Sequence, residues 1–152
     1  MDLEGILEGA IQGEVESCEL YTAAVELVET PHIQDMLREL AQEELGHKAQ
    51  LEMMLADPDK LRQRLGGRNA ETVVDYKVAD HLVSSPLQSD STFQDVCIFA
   101  AKKEQQSYEL YRDLAAQTEG EAHDLLEAMA QDELRHKNLV ERWYEDVVYQ
   151  EF

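Results

Sequence analysis

Glycine, proline and cysteine are scarce in this sequence, at seven, three and two among 152 residues. Breakers this few, beside abundant Leu, Ala, Glu and Gln, point to an all-α protein. The two cysteines, Cys18 and Cys97, make neither a C-x-x-C pair nor a disulfide framework; they read as small apolar packing residues in a reducing compartment. Positive charge is also short. Thirteen Lys and Arg stand against 33 Asp and Glu, a formal charge of −20, which argues against nucleic acid or an anionic membrane as partner. An acidic exterior keeps helices soluble; the sharper reading is that it also attracts cations. No apolar run approaches the roughly 18 residues of a membrane helix. The opening Met-Asp-Leu-Glu-Gly lacks the basic and apolar stretches of a signal peptide. The expectation is a single cytoplasmic domain over 1–152, long enough for a real core.

What the sequence does contain is a repeat. Ala41 to Lys48 reads AQEELGHK and Ala130 to Lys137 reads AQDELRHK. Each holds a Glu and a His three residues apart, Glu44 with His47 and Glu133 with His136. On a helix such residues share a face, their Cβ atoms roughly 5–6 Å apart, so a carboxylate and an imidazole can hold one metal between them. One Glu-x-x-His is weak evidence; two in matching contexts are much stronger. Upstream, Glu14 precedes Tyr21 by seven residues, as Glu104 precedes Tyr111. The offset is 90 residues at the Glu14/Glu104 and Tyr21/Tyr111 pairs and 89 at the His47/His136 pair.

The spacing predicts four helices. The first runs from about Asp2 to about Glu29 with Leu7, Ile11, Glu14, Cys18, Tyr21, Val25 and Val28 inward. The second starts at Thr30-Pro31 and ends near Leu55, its stripe Leu37, Leu40, Ala41, Glu44, His47, Leu51 and Met54. The third opens on a capping box, Ser91 with Gln94, and turns Cys97, Ala100, Ala101, Glu104, Tyr108, Tyr111 and Ala115 inward. Gly120 breaks the chain before the fourth, which runs to about 148 and carries Leu126, Met129, Ala130, Glu133, His136, Val140, Trp143 and Val147. Glu16, Glu19, Glu26, Glu43 and Glu109 fall off these stripes and read as solvated. Between the helix pairs 2–55 and 91–148 lies a stretch, 56–90, with Gly66-Gly67, a moderately helical run from Val73 to Val83, and Ser84-Ser85-Pro86. His81 lies there with no partner pattern. So long a connection suits a ferritin-like four-helix bundle with a long crossover between its second and third helices.

Four inward carboxylates are costly to bury unpaired. Glu14, Glu44, Glu104 and Glu133 carry four negative charges, which two divalent cations balance if His47 and His136 stay neutral. No Lys or Arg sits on the stripes at that level. Oxygen-rich coordination with one imidazole per ion and no thiolate suits iron or manganese better than structural zinc, though zinc can substitute. Tyr21 and Tyr111, two turns from Glu14 and Glu104, read either as core aromatics or as phenols donating to a carboxylate across the bundle. Ser17 and Ser107, one turn after Glu14 and Glu104, could line the site or simply make room.

In these residues the chain resembles the rubrerythrin branch of the ferritin-like superfamily. The resemblance rests on Gly13-Glu14 with Tyr21, Glu44-x-x-His47, Glu104 with Tyr111, and Glu133-x-x-His136. Phe99-Ala-Ala-Lys-Lys-Glu104 is also similar to the third helix of short rubrerythrin-like proteins. The resemblance implies two iron ions bridged by Glu44 and Glu133, with Glu14 and Glu104 as terminal ligands and one His per iron. It implies Fe²⁺ and O₂ or hydrogen peroxide as reactants. Rubrerythrins carry a rubredoxin domain with C-x-x-C ligands, which this sequence lacks, so electrons would come from a separate donor protein or from Fe²⁺. They also place a Glu one turn after the third-helix ligand, linked to movement of one iron. Ser107 stands there, a departure that bears on peroxidase activity and not on di-iron binding.

The expected function is a di-iron oxidoreductase, of ferroxidase or peroxidase type, acting on Fe²⁺ with O₂ or peroxide. The alternatives are a non-catalytic iron-binding or delivery protein, and a helical interaction module with vestigial carboxylates. Leu3, Ile6, Leu20 and Leu27 lie away from the metal stripe, covered by the crossover or forming a homodimer face.

Overall fold

Residues 3–56 and 87–150 are described by a computed structural model of the chain. They form four α-helices: α1 (Leu3–Ala24), α2 (Pro31–Ala56), α3 (Phe93–Ala116) and α4 (Gly120–Gln150). The architecture is an all-α, ferritin-like bundle, all-α as the scarcity of breakers predicts. The N-cap expected at Asp2, most of the predicted crossover and His81 lie outside the described residues.

Each pair of helices is closed by a short connection, so α1 packs along α2 and α3 along α4. The first α-helix ends earlier than its periodicity predicts, at Ala24 rather than Glu29, and finishes in a 3₁₀ turn, Val25–Leu27. Val28 is then fully extended. The reason lies just beyond it, where Pro31 disfavours helical geometry at Thr30 and opens α2 with its pre-set φ. Gln34 Nε2 donates to the carbonyls of Val28 at 2.8 Å and Val25 at 3.3 Å, closing the corner. In the α3–α4 turn, Thr118 Oγ1 donates to the Leu114 and Ala115 carbonyls, and the His123 ring meets Ala115 O at 2.7 Å. Gly120, at φ +67°, supplies the left-handed residue this reversal requires.

The capping box of α3 is one residue later than expected. Thr92 Oγ1 accepts from Asp95 N, and Asp95 Oδ2 accepts from Thr92 N. Ser91 belongs to the preceding turn, its hydroxyl accepting from Gln88 N at 2.8 Å.

The apolar stripes divide into two clusters along the bundle. One gathers Leu37, Leu40, Val96, Cys97, Val140 and Trp143 among others, with Phe93 and Trp143 rings 6.1 Å apart. The other gathers Leu7, Leu51, Met54, Leu114, Leu126 and Met129 among others. Burying each Leu contributes about 1.5–3 kcal/mol. On every helix the Glu and His of the predicted stripe fall between these clusters in sequence, so the two apolar layers sandwich one polar layer.

Some stripe positions differ from expectation. Tyr108 is half-buried, its hydroxyl accepting from Arg112 Nη1 at 3.0 Å. Ile11, Cys18, Val28 and Val147 pack on the edges of the clusters rather than inside them. Of the off-stripe apolar residues, Ile6 and Leu20 pack against the clusters, whereas Leu27 is 44% exposed. Among the described residues no helix is long and apolar enough to cross a membrane.

Candidate metal centre

All six predicted residues meet in the polar layer, and all are buried: Glu14 from α1, Glu44 and His47 from α2, Glu104 from α3, Glu133 and His136 from α4. They fall into two overlapping groups, Glu14 with Glu44, His47 and Glu133, and Glu104 with Glu44, Glu133 and His136. Within each group one donor atom per residue lies within 4.8 Å of all the others. Glu44 and Glu133 belong to both. The sequence repeat has thus become a structural one, two half-sites sharing two carboxylates.

The imidazoles face the layer the same way round. His47 Nδ1 lies 2.7 Å from Glu133 Oε1, 3.5 Å from Glu14 Oε1 and 3.8 Å from Glu44 Oε1. His136 Nδ1 lies 2.9 Å from Glu44 Oε1, 3.7 Å from Glu104 Oε1 and 3.8 Å from Glu133 Oε2. The two rings stand 6.1 Å apart at 20°. Each Nε2 points outward to a second carboxylate: His47 to Asp132 Oδ2 at 3.0 Å, His136 to Glu43 Oε2 at 2.7 Å.

Glu43 and Asp132 were not singled out by the stripe argument, and Glu43 was read as merely solvated. Each precedes a layer Glu by one residue, and each serves the histidine of the other helix. The signal available was that both copies of the repeat carry an acid there, Glu43-Glu44 and Asp132-Glu133.

Both phenols are packed within the apolar clusters, and each also reaches a carboxylate. Tyr21 donates to Glu104 Oε1 at 2.5 Å, and Tyr111 donates to Glu14 Oε1. Each tyrosine therefore steadies the carboxylate of the opposite helix pair. Ser17 is buried and Ser107 half-buried. Lys137, next to His136 but off the stripe, is 0% exposed, with Glu141 Oε1 3.5 Å from its Nζ. It lies on a second buried face of α4, with Leu134, which an inward stripe alone does not reveal.

Electrostatics shows how much negative charge the layer holds. Burial and the neighbouring carboxylates, Glu104 foremost, push Glu44 and Glu133 well above the ordinary range. Burial also pushes Glu14 and Glu104 up, but their partners outweigh it, chiefly His47 for Glu14, and Glu133 with His136 for Glu104; both end lowered. Burial disfavours the charged form of His47, yet Asp132 and Glu14 raise it to about 9. His136 is raised well above its usual value against the same burial, by Glu104, Glu43 and Glu44. Without a cation, then, the layer balances its charge with protons on its imidazoles and carboxyls.

The donor set fits a metal pair. Glu14 Oε2, Glu44 Oε2, Glu104 Oε2 and Glu133 Oε2 are buried with no hydrogen-bond partner among the described residues. Orphaned oxygens in such number are costly, and they converge where divalent cations would satisfy them. Carboxylates with one imidazole per group are the ligands of the ferritin-like di-metal proteins.

Comparison with known proteins bears on the family and the fold. The family model described as Rubrerythrin matches residues 5–144. A solved structure, a hypothetical protein from Pyrococcus furiosus, has the same fold at TM-score 0.68 and 23% identity, over 99% of this chain and 92% of that one. No curated protein matches the sequence significantly.

Proposed function

The chain belongs to the rubrerythrin family, and from that membership and its buried layer we propose that it is a di-iron oxidoreductase that oxidises Fe²⁺ with peroxide or O₂. One observation carries the reading: two ligand groups of three carboxylates and one imidazole share Glu44 and Glu133. In this assignment Glu44 and Glu133 would serve both ions, Glu14 and His47 would complete one site, and Glu104 and His136 would complete the other. Four carboxylates offset two divalent cations with both imidazoles neutral. An iron pair, when bound, supplies the two electrons that convert peroxide and two protons to two waters.

The remaining work falls to the chain. With the imidazoles neutral, the Nε2–H of His47 would donate to Asp132 and that of His136 to Glu43, leaving each Nδ1 lone pair facing the layer. Tyr21 and Tyr111 hold Glu104 and Glu14 by one oxygen each and leave the second free to ligate. The apolar clusters on either side exclude water from the carboxylates, which strengthens every charge interaction between them.

Anaerobic Fe²⁺ titration of the apo-protein tests the proposal, followed by peroxide or O₂ with ferric absorbance read in the near-ultraviolet. Saturation at two irons per chain, with oxidation recurring on each further addition of Fe²⁺, is the expected result. Oxidation that stops after the bound pair would make the protein an iron carrier instead. Failure to bind iron would overturn the reading altogether.

A further inference from the structure

We propose that Arg135 is a positioning residue that ties the two half-sites of the metal layer together. This inference rests on the metal-binding reading above and concerns how the sites are held rather than what they do. Arg135 Nη2 lies 3.0 Å from Asp132 Oδ1 and 3.2 Å from Glu43 Oε1. The other oxygen of Asp132 meets His47 Nε2, and the other oxygen of Glu43 meets His136 Nε2. One guanidinium thus joins both carboxylate–imidazole arms into a continuous chain, His47–Asp132–Arg135–Glu43–His136. The two acids come from different helices; the His136 imidazole holds the Glu43 carboxyl below its ordinary range against burial, with Arg135 assisting and repulsion from the Asp132 charge opposing. A cation between them removes that repulsion and fixes the oxygens that orient both rings.

The sequence repeat shows that this link is not part of the pseudo-symmetry. The position equivalent to Arg135 is Gly46, in Glu44-Leu-Gly-His47 against Glu133-Leu-Arg-His136. A second arginine there is absent, so a single side chain serves both arms. Arg suits this place because it stays charged and presents several donors from one plane. Its side chain is 45% exposed, so its loss opens no cavity in the core.

Charge alone and positioning predict opposite effects. Deleting a cation near two divalent ions, by field alone, tightens metal binding; loosening the acids that orient the imidazoles weakens it. The test is anaerobic Co²⁺ titration of the full-length apo-protein, read by its visible absorption, for wild type, Arg135→Met and Arg135→Lys. Arg135→Met is expected to bind Co²⁺ about tenfold more weakly, the lower end of effects seen when outer partners of metal ligands are lost. It should also alter the Co²⁺ band shape, with apo-protein melting unchanged. Arg135→Lys, which keeps the charge and a donor, should recover most of the affinity. In a background carrying Glu43→Gln with Asp132→Asn, Arg135→Met should cost little more, because the residue acts through those two acids. Unchanged or tighter binding by Arg135→Met overturns the inference, as does an equal loss in the double-variant background. Absence of Co²⁺ binding by wild type would overturn the metal assignment itself, and this inference with it.

Discussion

The Tyr21 hydroxyl, on α1, donates to Glu104 on α3 at 2.5 Å, wholly within the buried layer. Burial and the Glu104 charge push the phenol well above its ordinary pKa, so it is a donor at neutral pH. Tyr111 repeats the arrangement towards Glu14. The bond crosses between helix pairs, which makes it part of the packing as well as of the site.

Tyr21→Phe keeps the ring in its cluster and removes only the donor. The Glu104 carboxylate is then left buried with one hydrogen bond fewer, which should cost the apo-protein about 1–3 kcal/mol. Urea denaturation followed by far-ultraviolet circular dichroism measures it. A change below about 0.5 kcal/mol would mean that Glu104 is satisfied without the phenol.

The two kinds of carboxylate should separate by stoichiometry. Glu14→Ala leaves the group Glu44, Glu104, Glu133, His136 intact, and Glu104→Ala leaves Glu14, Glu44, His47, Glu133. Each should retain one tightly bound Co²⁺ per chain after anaerobic dialysis. Glu44→Ala or Glu133→Ala damages both groups and should retain none, with helicity preserved. Metal at a hundredfold excess over its dissociation constant should stabilise wild type by about 2.7 kcal/mol per site, and this shift should vanish in the Glu44 and Glu133 variants. One ion kept by Glu133→Ala would show that the groups are independent.

The six layer residues were legible because a Glu or His on a three-four stripe of Leu, Ala and Met is anomalous, and the anomaly occurs at matching places in both halves. The bundle was legible for the same reason, since apolar periodicity fixes which face of each helix turns inward. Other features depend on pairing across helices and could not be read from one helix at a time. Glu43 lies off the stripe of α2 and is visible as a partner only once His136 of α4 is beside it. Lys137 belongs to a second buried face of α4, although its repeat partner Lys48 is only partly covered and pairs with Glu52 at 3.3 Å. The start of α3 was ambiguous because Ser91–Gln94 and Thr92–Asp95 both satisfy the capping pattern, and only the Gln88–Ser91 turn decides between them.

Asp132→Asn and Glu43→Gln should weaken metal binding without abolishing it. Each neutral amide accepts more feebly from the imidazole Nε2–H, lowering the basicity of the Nδ1 that faces the layer. A loss of about 10–100-fold is expected for Asp132→Asn. Glu43→Gln should lose less, because the Glu43 side chain is 44% exposed against 19% for Asp132, and water can replace part of its role. Competition with a chromophoric chelator ranks the variants. The reverse ranking would place the more important arm at His136.

Apo-protein stability should fall as pH rises, while the gain from metal should grow. His47 is raised from 6.5 to about 9 in the folded state, so folded chains hold a proton there that unfolded chains release. The stability this provides is complete below pH 6.5 and is lost as pH climbs through about 9, amounting to at most about 3 kcal/mol. His136, Glu44 and Glu133 are also raised and act with the same sign. Glu14, Glu104 and Asp132 are lowered, so their contribution is lost only in acid, below about pH 4.5, and is constant across the neutral window. Metal binding requires neutral imidazoles and ionised carboxylates, so it releases protons and strengthens with pH. Melting of the apo-protein should therefore drop between pH 6.5 and 9, and the further rise on adding Co²⁺ should increase over that range. A flat apo profile would mean that the layer is not charged with protons when empty of metal. A Co²⁺ shift independent of pH would mean that the ion binds without displacing them.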